Sequence, residues 1–502
     1  MVAKIKTFAF RGIEVVDVGV EVKIVPGSSH FNIVGLPDKA VGESKERVLA
    51  AICSIGLDWP FQKIIVNLSP ADLQKEGSHF DLAIALAIMI EMNVLKQADF
   101  DNYYILGELS LDGGINSVGG IISAAIGANE RKCGIICPKE NGKEAAWAGN
   151  LEIIATDNIL SLLNHIKGLQ ILERPEAKGV VEEVYYPDLV DVKGQDVAKR
   201  ALEIAAIGGH NLLMVGPPGT GKSMLSSRLA GILPNMTLKE ILEVNMIQSI
   251  SGKILNGKLV VKRPFIEVHH SCSMPAMVGG GQKAKPGEVS LAHNGVLFLD
   301  ELAEFPRQVL DSLRQPLENG KISISRVNTH VTYPANFQLV AAMNPCKCGY
   351  LGDIKRQCKK APECGTQYKS KISGPLLDRF DLVVYVGAVD VMSLKKLKSG
   401  ESSAIVKERV ENLRKLQYER FDCKAGNDIL VNAKMNGSSL EKHCQLEEGD
   451  ESVLNDFIEK MGVSMRGLSR ILRVARTISD MDEEKNIKRK HLLEAMSYRR
   501  GI

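Results

Sequence analysis

The sequence predicts an α/β protein built on a parallel sheet, and two segments carry that expectation. Asn211-Leu212-Leu213-Met214-Val215 is an apolar run of strand character, and Met224 to Ala230 reads as a helix. Between them lies Gly216-Pro217-Pro218-Gly219-Thr220-Gly221-Lys222-Ser223. About 75 residues later a second apolar run, Val296-Leu297-Phe298-Leu299, ends in Asp300-Glu301. Strands buried on both faces read as unbroken apolar runs, and α/β sheets place their ligands at the carboxyl ends of such strands.

Each piece has a chemical reason. Gly216, Gly219 and Gly221 let the loop curl so that its N–H groups converge on a polyphosphate. The following helix adds its positive N-terminal end. Lys222 is placed to reach the β- and γ-phosphates, and the Ser223 hydroxyl to ligate Mg²⁺. Asp300 would hold the same ion through water, and Glu301 would polarise the water that attacks the γ-phosphate. ATP and Mg²⁺ are therefore the expected substrate and cofactor.

Composition sets the outer limits. The chain has 502 residues, 45% hydrophobic and 25% charged, an ordinary globular profile. No apolar stretch reaches the roughly 18 charge-free residues of a membrane helix. The N-terminus has no long apolar core or cleavage signal, so a cytoplasmic location is expected. Ten cysteines are too sparse for a secreted disulfide scaffold. A net charge of +3 argues neither for nor against nucleic acid, so any basic surface must be local.

Composition shifts divide the chain. Residues 1–168 alternate β-like runs (Phe31 to Val34, Lys63 to Leu68) with helical ones (Asp81 to Met92, Gly120 to Glu130). Residues 169–190, with Pro175, Pro187 and Glu182-Glu183, read as a linker. Residues 191–392 hold the nucleotide machinery and a Cys-rich insert at 346–364; residues 393–502 are helical and charged.

Within the nucleotide region Ala198, Ala201, Leu202, Ala205 and Ala206 mark one helix face. That helix could close over adenine or belong to the core. Phe337 to Met343 is another buried strand, and it ends in Asn344, whose amide could orient the attacking water. Arg379, in Gly374-Pro375-Leu376-Leu377-Asp378-Arg379-Phe380-Asp381, could project onto a neighbouring subunit's γ-phosphate, as arginine fingers do. It could equally pair with Asp378 or Asp381.

Together with Ser464-Met465-Arg466-Gly467, these motifs resemble an AAA+ ATPase of the magnesium-chelatase-like group. Ala342-Met343-Asn344-Pro345-Cys346-Lys347-Cys348-Gly349 and Arg470 to Ile478 bring the resemblance closer to the YifB/ComM family. It covers essentially the whole chain. It implies a three-layer αβα AAA+ core, a C-terminal helical lid and a hexameric ring. It also implies an N-terminal α+β domain similar to the proteolytic domain of Lon, of ribosomal S5 domain 2-like fold. By the same resemblance Asn344 is the first sensor, Arg379 the trans-acting finger and Arg466 the second sensor. The segment Ala276 to Pro286 would be an insertion facing the central pore.

Lon-like sequences carry a serine nucleophile and a lysine base. In Lys75-Glu76-Gly77-Ser78-His79-Phe80-Asp81 the nucleophile position holds His79, or Ser78 if the register shifts by one. The lysine expected after Gly119-Gly120 is Ile122, which cannot accept a proton. The domain is therefore expected to serve packing, assembly or DNA guiding rather than proteolysis.

Cys346, Cys348, Cys358 and Cys364 fall within nineteen residues. Four thiolates are a structural zinc set, and a polar insert gains folding free energy from such a metal. The spacing differs from paired C-x2-C knuckles, and free thiols in a reducing cytosol are the alternative. Further on, Arg466, Arg470, Arg473 and Arg476 share a helix face beside an apolar stripe of Met465, Leu468, Leu472 and Ala475. The last three arginines could line a subunit interface, touch nucleic acid or be solvated. Residues 459–500 carry eleven Lys/Arg against six Asp/Glu, which suits a polyanion partner.

The function expected is an ATP-driven homo-hexameric motor on single-stranded or branched DNA. The resemblance implies helicase and branch-migration work in natural transformation. No base-reading motif is visible, so binding should not be sequence-specific. A chelatase-type or protein-remodelling ATPase is the second reading, and an ATP-dependent protease the third.

Overall fold

The computed structural model describes residues 2–176, 185–253, 259–281, 284–326, 329–352, 356, 359–388, 400–421, 431–446, 449–461 and 464–499. Among them no helix is long and apolar enough to cross a membrane.

The N-terminal region folds around a seven-stranded sheet of β1 (Ala3–Arg11), β2 (Glu14–Val25), β3 (Phe31–Val34), β4 (Lys63–Ser69), β5 (Tyr103–Ile105), β6 (Gly134–Pro138) and β7 (Ile153–Thr156). Their order is β3-β4-β2-β1-β5-β6-β7. The β1–β2 and β2–β4 pairs are antiparallel and the others parallel. Alternation in β2 buries Val18, Val20 and Val22 on one face. Helix α1 (Lys39–Ser54) starts at Asp38, whose carboxylate accepts the Val41 N–H at 2.7 Å. Helix α2 (Asp81–Glu91) is buried from Asp81 to Met89, as a helix apolar on all sides should be. Its one buried charge, Asp81, is held by Ser44, by Arg47 Nε at 2.6 Å and by the Leu109 N–H at 3.2 Å. Helix α3 (Ile121–Glu130) follows Gly120, which has φ +87°.

The nucleotide region has a five-stranded, wholly parallel sheet. Its strands are β8 (Leu212–Val215), β9 (Phe265–Val268), β10 (Val296–Leu299), β11 (Gln338–Met343) and β12 (Leu382–Tyr385), in the order β9-β10-β11-β8-β12. Every residue of β10 and β11 is buried. Alternation sends Leu212, Met214, Val296, Phe298, Val340 and Ala342 into one core. Leu213, Leu297, Leu299, Leu339 and Ala341 enter a second core on the opposite face. Two covered faces make three layers. Helices α4 (Asp196–Gly208) and α5 (Lys222–Ile232) contribute to the first core. Ala198, Ala201, Leu202, Ala205 and Ala206 all lie within it, so that face of α4 is a core face. Helix α6 (Leu238–Ser251) starts with a capping box of Thr237 and Glu240. The insertion expected at 276–286 contains a small antiparallel pair, Gly279–Gly280 against Lys285–Pro286.

The C-terminal helices α7 (Ser403–Arg420), α8 (Met465–Met481) and α9 (Arg489–Ser497) complete the first core with Val406, Val410, Ile471, Val474, Ile478 and Leu492. His210 Nε2 and Thr477 Oγ1 meet at 2.8 Å, and the Arg414 Nη2 donates to the Ala206 carbonyl at 2.7 Å.

A polar joint ties the N-terminal region to the nucleotide region. The Gly120 N–H donates to Ser249 Oγ at 2.7 Å, and the Ser249 hydroxyl in turn donates to the buried Glu144 carboxyl. Asn141 Nδ2 donates to the other Glu144 oxygen at 2.9 Å. A side chain at Gly119 would come within 2.9 Å of the Ser249 carbonyl oxygen. The Gly-Gly pair thus admits the C-terminal turn of α6. Arg11 Nε adds a bond to the His330 carbonyl at 3.1 Å.

Candidate active site

Three strand ends converge on one cleft. The loop 216–221 leaves β8, Asp300-Glu301 leaves β10 and Asn344 leaves β11. Parallel strands carry all of them to the same edge of the sheet. Gly216 runs so close to the Val386 carbonyl oxygen that a Cβ would stand 2.1 Å from it. Gly221, at φ +85°, supplies the left-handed turn into α5.

The cleft, of about 400 Å³, is lined by residues 218–224, Asp300, Glu301, Met343 and Asn344. Lys222 is buried; its ammonium donates to the carbonyls of Gly216 at 2.9 Å and Pro217 at 2.8 Å, and to Asn344 Oδ1 at 3.3 Å. Burial pulls its pKa down, while Asp300 and Glu301 pull it up; the net direction is downward. Ser223 Oγ donates to Asp300 Oδ2 at 2.7 Å, and the Glu301 N–H to Asp300 Oδ1 at 2.8 Å. Thr220 Oγ1 closes the loop onto the Pro217 carbonyl at 3.0 Å. Glu301 has φ +52°, in the left-handed region. Its Oε2 lies 3.1 Å from His270 Nδ1.

Lys222, Ser223, Asp300, Glu301 and Asn344 are thus brought together; Arg379 and Arg466 are not. Arg379 is 5% exposed. Its Nη1 donates to the Pro375 carbonyl at 2.7 Å and its Nη2 to Glu318 Oε1. Neither aspartate considered for it is its partner: Asp378 Oδ1 lies 3.7 Å from Arg499, and Asp381 Oδ1 lies 2.5 Å from Arg470. Burial would raise the Asp381 carboxyl, but Arg470 and His210 override it and hold it well below the usual carboxylate range. Arg379 itself is pushed down, first by burial; Glu318 opposes, and the charges of Arg314, Arg470 and Arg466 push it further. Arg466, exposed at the start of α8, therefore lies within electrostatic reach of Arg379, and among the described residues no arginine lines the cleft.

Several sequence alternatives are decided by packing. Arg476 is 4% exposed and ion-paired to Asp480 at 2.7 Å, so it is no solvated or DNA-facing residue. Arg473 is largely covered; burial pushes its guanidinium down, against the pull of Asp381. Met465 departs from the expected apolar stripe and is 78% exposed. Cys346 and Cys348 bring their sulfurs to 3.1 Å, and Cys358 lies outside the described residues. Among the described residues there is no group of three or more His, Cys, Asp or Glu able to hold a metal. His79 is buried, with Nε2 2.9 Å from the Phe8 carbonyl, and burial lowers its pKa to about 4. Ser78 bonds Glu108, and Ile122 is fully buried.

Two residues near this chemistry were missed by sequence reasoning. His270 follows the weakly apolar β9, and Glu318 sits on a helix 61 residues before Arg379. The one available signal was the polar pair His269-His270 at a strand's carboxyl end.

A parallel sheet with a phosphate loop at the carboxyl end of β8 and an acidic pair at that of β10, two positions away, defines a P-loop nucleotide-binding protein of the AAA+ class. Comparisons narrow it. Residues 188–394 match the family model for magnesium chelatase, subunit ChlI, and residues 400–499 match that subunit's C-terminal model. Residues 20–141 match a further model for subunit ChlI of Mg-chelatase. The chain is 42% identical to the uncharacterized protein YifB of Salmonella typhimurium, over 99% of this chain and 97% of that one. It is 43% identical to the competence protein ComM of Haemophilus influenzae, over 98% and 96%. With the magnesium-chelatase subunit ChlI of Olisthodiscus luteus the identity is 27%, over 31% of this chain and 49% of that one. The chain belongs to the YifB/ComM family of magnesium-chelatase-like AAA+ ATPases.

Proposed function

We propose that this protein hydrolyses ATP as a homo-hexameric motor on single-stranded or branched DNA, acting as a helicase or branch-migration factor in natural transformation or recombination. The ATPase half rests on one observation: Ser223 and Asp300 meet at 2.7 Å beside Lys222 and Glu301. This donor set fits a magnesium triphosphate. A hydroxyl and a carboxylate suit a hard cation, and the buried ammonium suits phosphate oxygens. Bound Mg²⁺ would neutralise charge on the β- and γ-phosphates.

The residues of the chain do the rest. Lys222 exchanges the loop carbonyls for phosphate oxygens. Glu301 accepts a proton from the water that attacks the γ-phosphorus, and Asn344 orients that water. Among the described residues the cleft lacks an arginine of its own, which supports Arg379 acting from a neighbouring subunit, with Arg466 the second sensor in the lid. That need for a second subunit supports a ring.

The DNA half rests on similarity along nearly the whole chain to a competence protein. A chelatase-type remodeller is favoured less, because the identity to the Olisthodiscus luteus magnesium-chelatase subunit is 27% over 31% of this chain, against 43% over 98% for the competence protein. A protease is disfavoured by the buried His79 and Ile122. A zinc ion on Cys346, Cys348, Cys358 and Cys364 belongs to this reading as a structural element; less than about half an equivalent in protein purified without added metal would reject it. The decisive assay is ATPase rate with single-stranded DNA, forked DNA, casein or no additive, followed by unwinding of three- and four-strand junctions. Stimulation by DNA alone is expected. Stimulation by casein with its cleavage would overturn the proposal.

A further inference from the structure

We propose that Glu318 is a latch on Arg379: it holds the guanidinium against its own subunit until a neighbour's γ-phosphate displaces it, and Arg314 then takes the freed carboxylate. This rests on the reading of Arg379 as a residue that acts from a neighbouring subunit.

Arg379 follows the short helix Gly374–Leu377, and its side chain folds back on it. Nη1 donates to the Pro375 carbonyl, four residues earlier, and Nη2 to Glu318 Oε1. In this pose the residue is buried, so its guanidinium cannot touch a ligand held by another subunit. The pose is also incompletely satisfied. Arg379 Nε is buried without a hydrogen-bond partner among the described residues. A buried donor left unpaired carries its full desolvation cost. The oxygens of a γ-phosphate would supply the acceptors that this pose lacks.

Glu318 is suited to let go. Its carboxylate is half exposed, and pairs with that much water around them are weak. A replacement partner stands on the same short helix, Arg314–Asn319. Arg314 lies four positions before Glu318, the spacing at which helical side chains meet. It is exposed, and among the described residues it makes no hydrogen bond or ion pair. Its charge already acts on Arg379, together with those of Arg470 and Arg466, and Glu318 is the carboxylate that opposes them. When Arg379 swings out, Glu318 passes to Arg314 and keeps a cation beside it. Release then leaves no carboxylate unpaired. A subunit whose finger is held back is not competent to complete its neighbour's site. The apparent affinity between subunits falls by the fraction that is competent, so the latch sets how readily paired sites form.

The test is ATPase rate per subunit against protein concentration, on the full chain at saturating ATP. Glu318→Gln keeps the shape and removes the charge. It should lower the half-maximal protein concentration by up to about fivefold and leave the rate at saturating protein within about twofold. Arg314→Gln removes the competitor for Glu318 and should raise the half-maximal concentration by about twofold. On a Glu318→Gln background, Arg314→Gln should change nothing further, which a merely structural role for either residue does not predict. An unchanged or raised half-maximal concentration in Glu318→Gln overturns the proposal, and so does an equal shift by Arg314→Gln in both backgrounds. Arg379→Ala separates the two readings. If it hydrolyses ATP normally, the trans-acting assignment fails and this inference with it. If it is inactive while Glu318→Gln matches the parent, this inference alone fails. Should Glu318→Gln not fold, Arg314→Gln carries the comparison, and a lowered or unchanged half-maximal concentration overturns the proposal.

Discussion

Arg379 is hydrogen-bonded to Glu318 of its own chain, through a carboxylate that is half in water. A pair so exposed on one side contributes at most about 1 kcal/mol. A γ-phosphate in a closed interface would attract a guanidinium more strongly, so the proposed trans-acting role requires Arg379 to exchange Glu318 for that phosphate. Arg379→Ala should bind ATP normally and lose hydrolysis by on the order of 1,000-fold. Mixing it with Lys222→Ala protein should restore part of the activity at mixed interfaces; absence of rescue would count against a trans-acting role.

Within the cleft, the ammonium of Lys222 is already desolvated and the Ser223–Asp300 pair already formed. Lys222→Ala should abolish nucleotide binding, measured by titration calorimetry. Glu301→Gln should retain ATP and slow its turnover by about 100-fold or more.

Burial raises the Glu144 pKa, and the bonds from Ser249, Asn141 and the Ile122 N–H only partly offset that. The sign follows from linkage. The folded state binds this proton more tightly, so the contribution is full below the unfolded value of about 4.3 and is lost as pH rises through the raised folded value. Glu144→Gln mimics the neutral acid. Its stability relative to the parent, measured by denaturant titration, should therefore increase as pH rises through that window. A difference independent of pH would show that Glu144 is not protonated preferentially in the fold.

At the same joint, Ser249→Ala removes the acceptor of the buried Gly120 N–H and one donor to Glu144. A loss of about 1–3 kcal/mol is expected from the groups left unpaired. Unchanged stability in a denaturant titration would mean that the joint contributes little.

Arg476 is buried and, besides pairing with Asp480, donates to the Glu484 and Lys485 carbonyls. Arg420 and Asn432 still hold Asp480 in Arg476→Ala, so the loss should be about 1–3 kcal/mol from the groups left unpaired. A variant of normal stability that had instead lost DNA affinity would return Arg476 to a nucleic-acid surface.

The catalytic cleft is legible in the amino-acid sequence because its parts are local. A phosphate loop needs glycines, lysine and serine in one contiguous stretch, and an apolar run ending in two acids marks its own sheet edge. The same locality made the apolar face of α4 and the central strands readable, while packing decided that this face of α4 meets the core rather than adenine. What tertiary structure alone decided is which charge meets which. Arg379 chose Glu318 over two nearer aspartates in sequence, Arg476 went inward, and His270 reached Glu301 through strand register. Spacing along a helix or a strand tells which side a residue faces. It does not tell whether that side meets water, another helix or an opposite charge, because that depends on how distant segments pack.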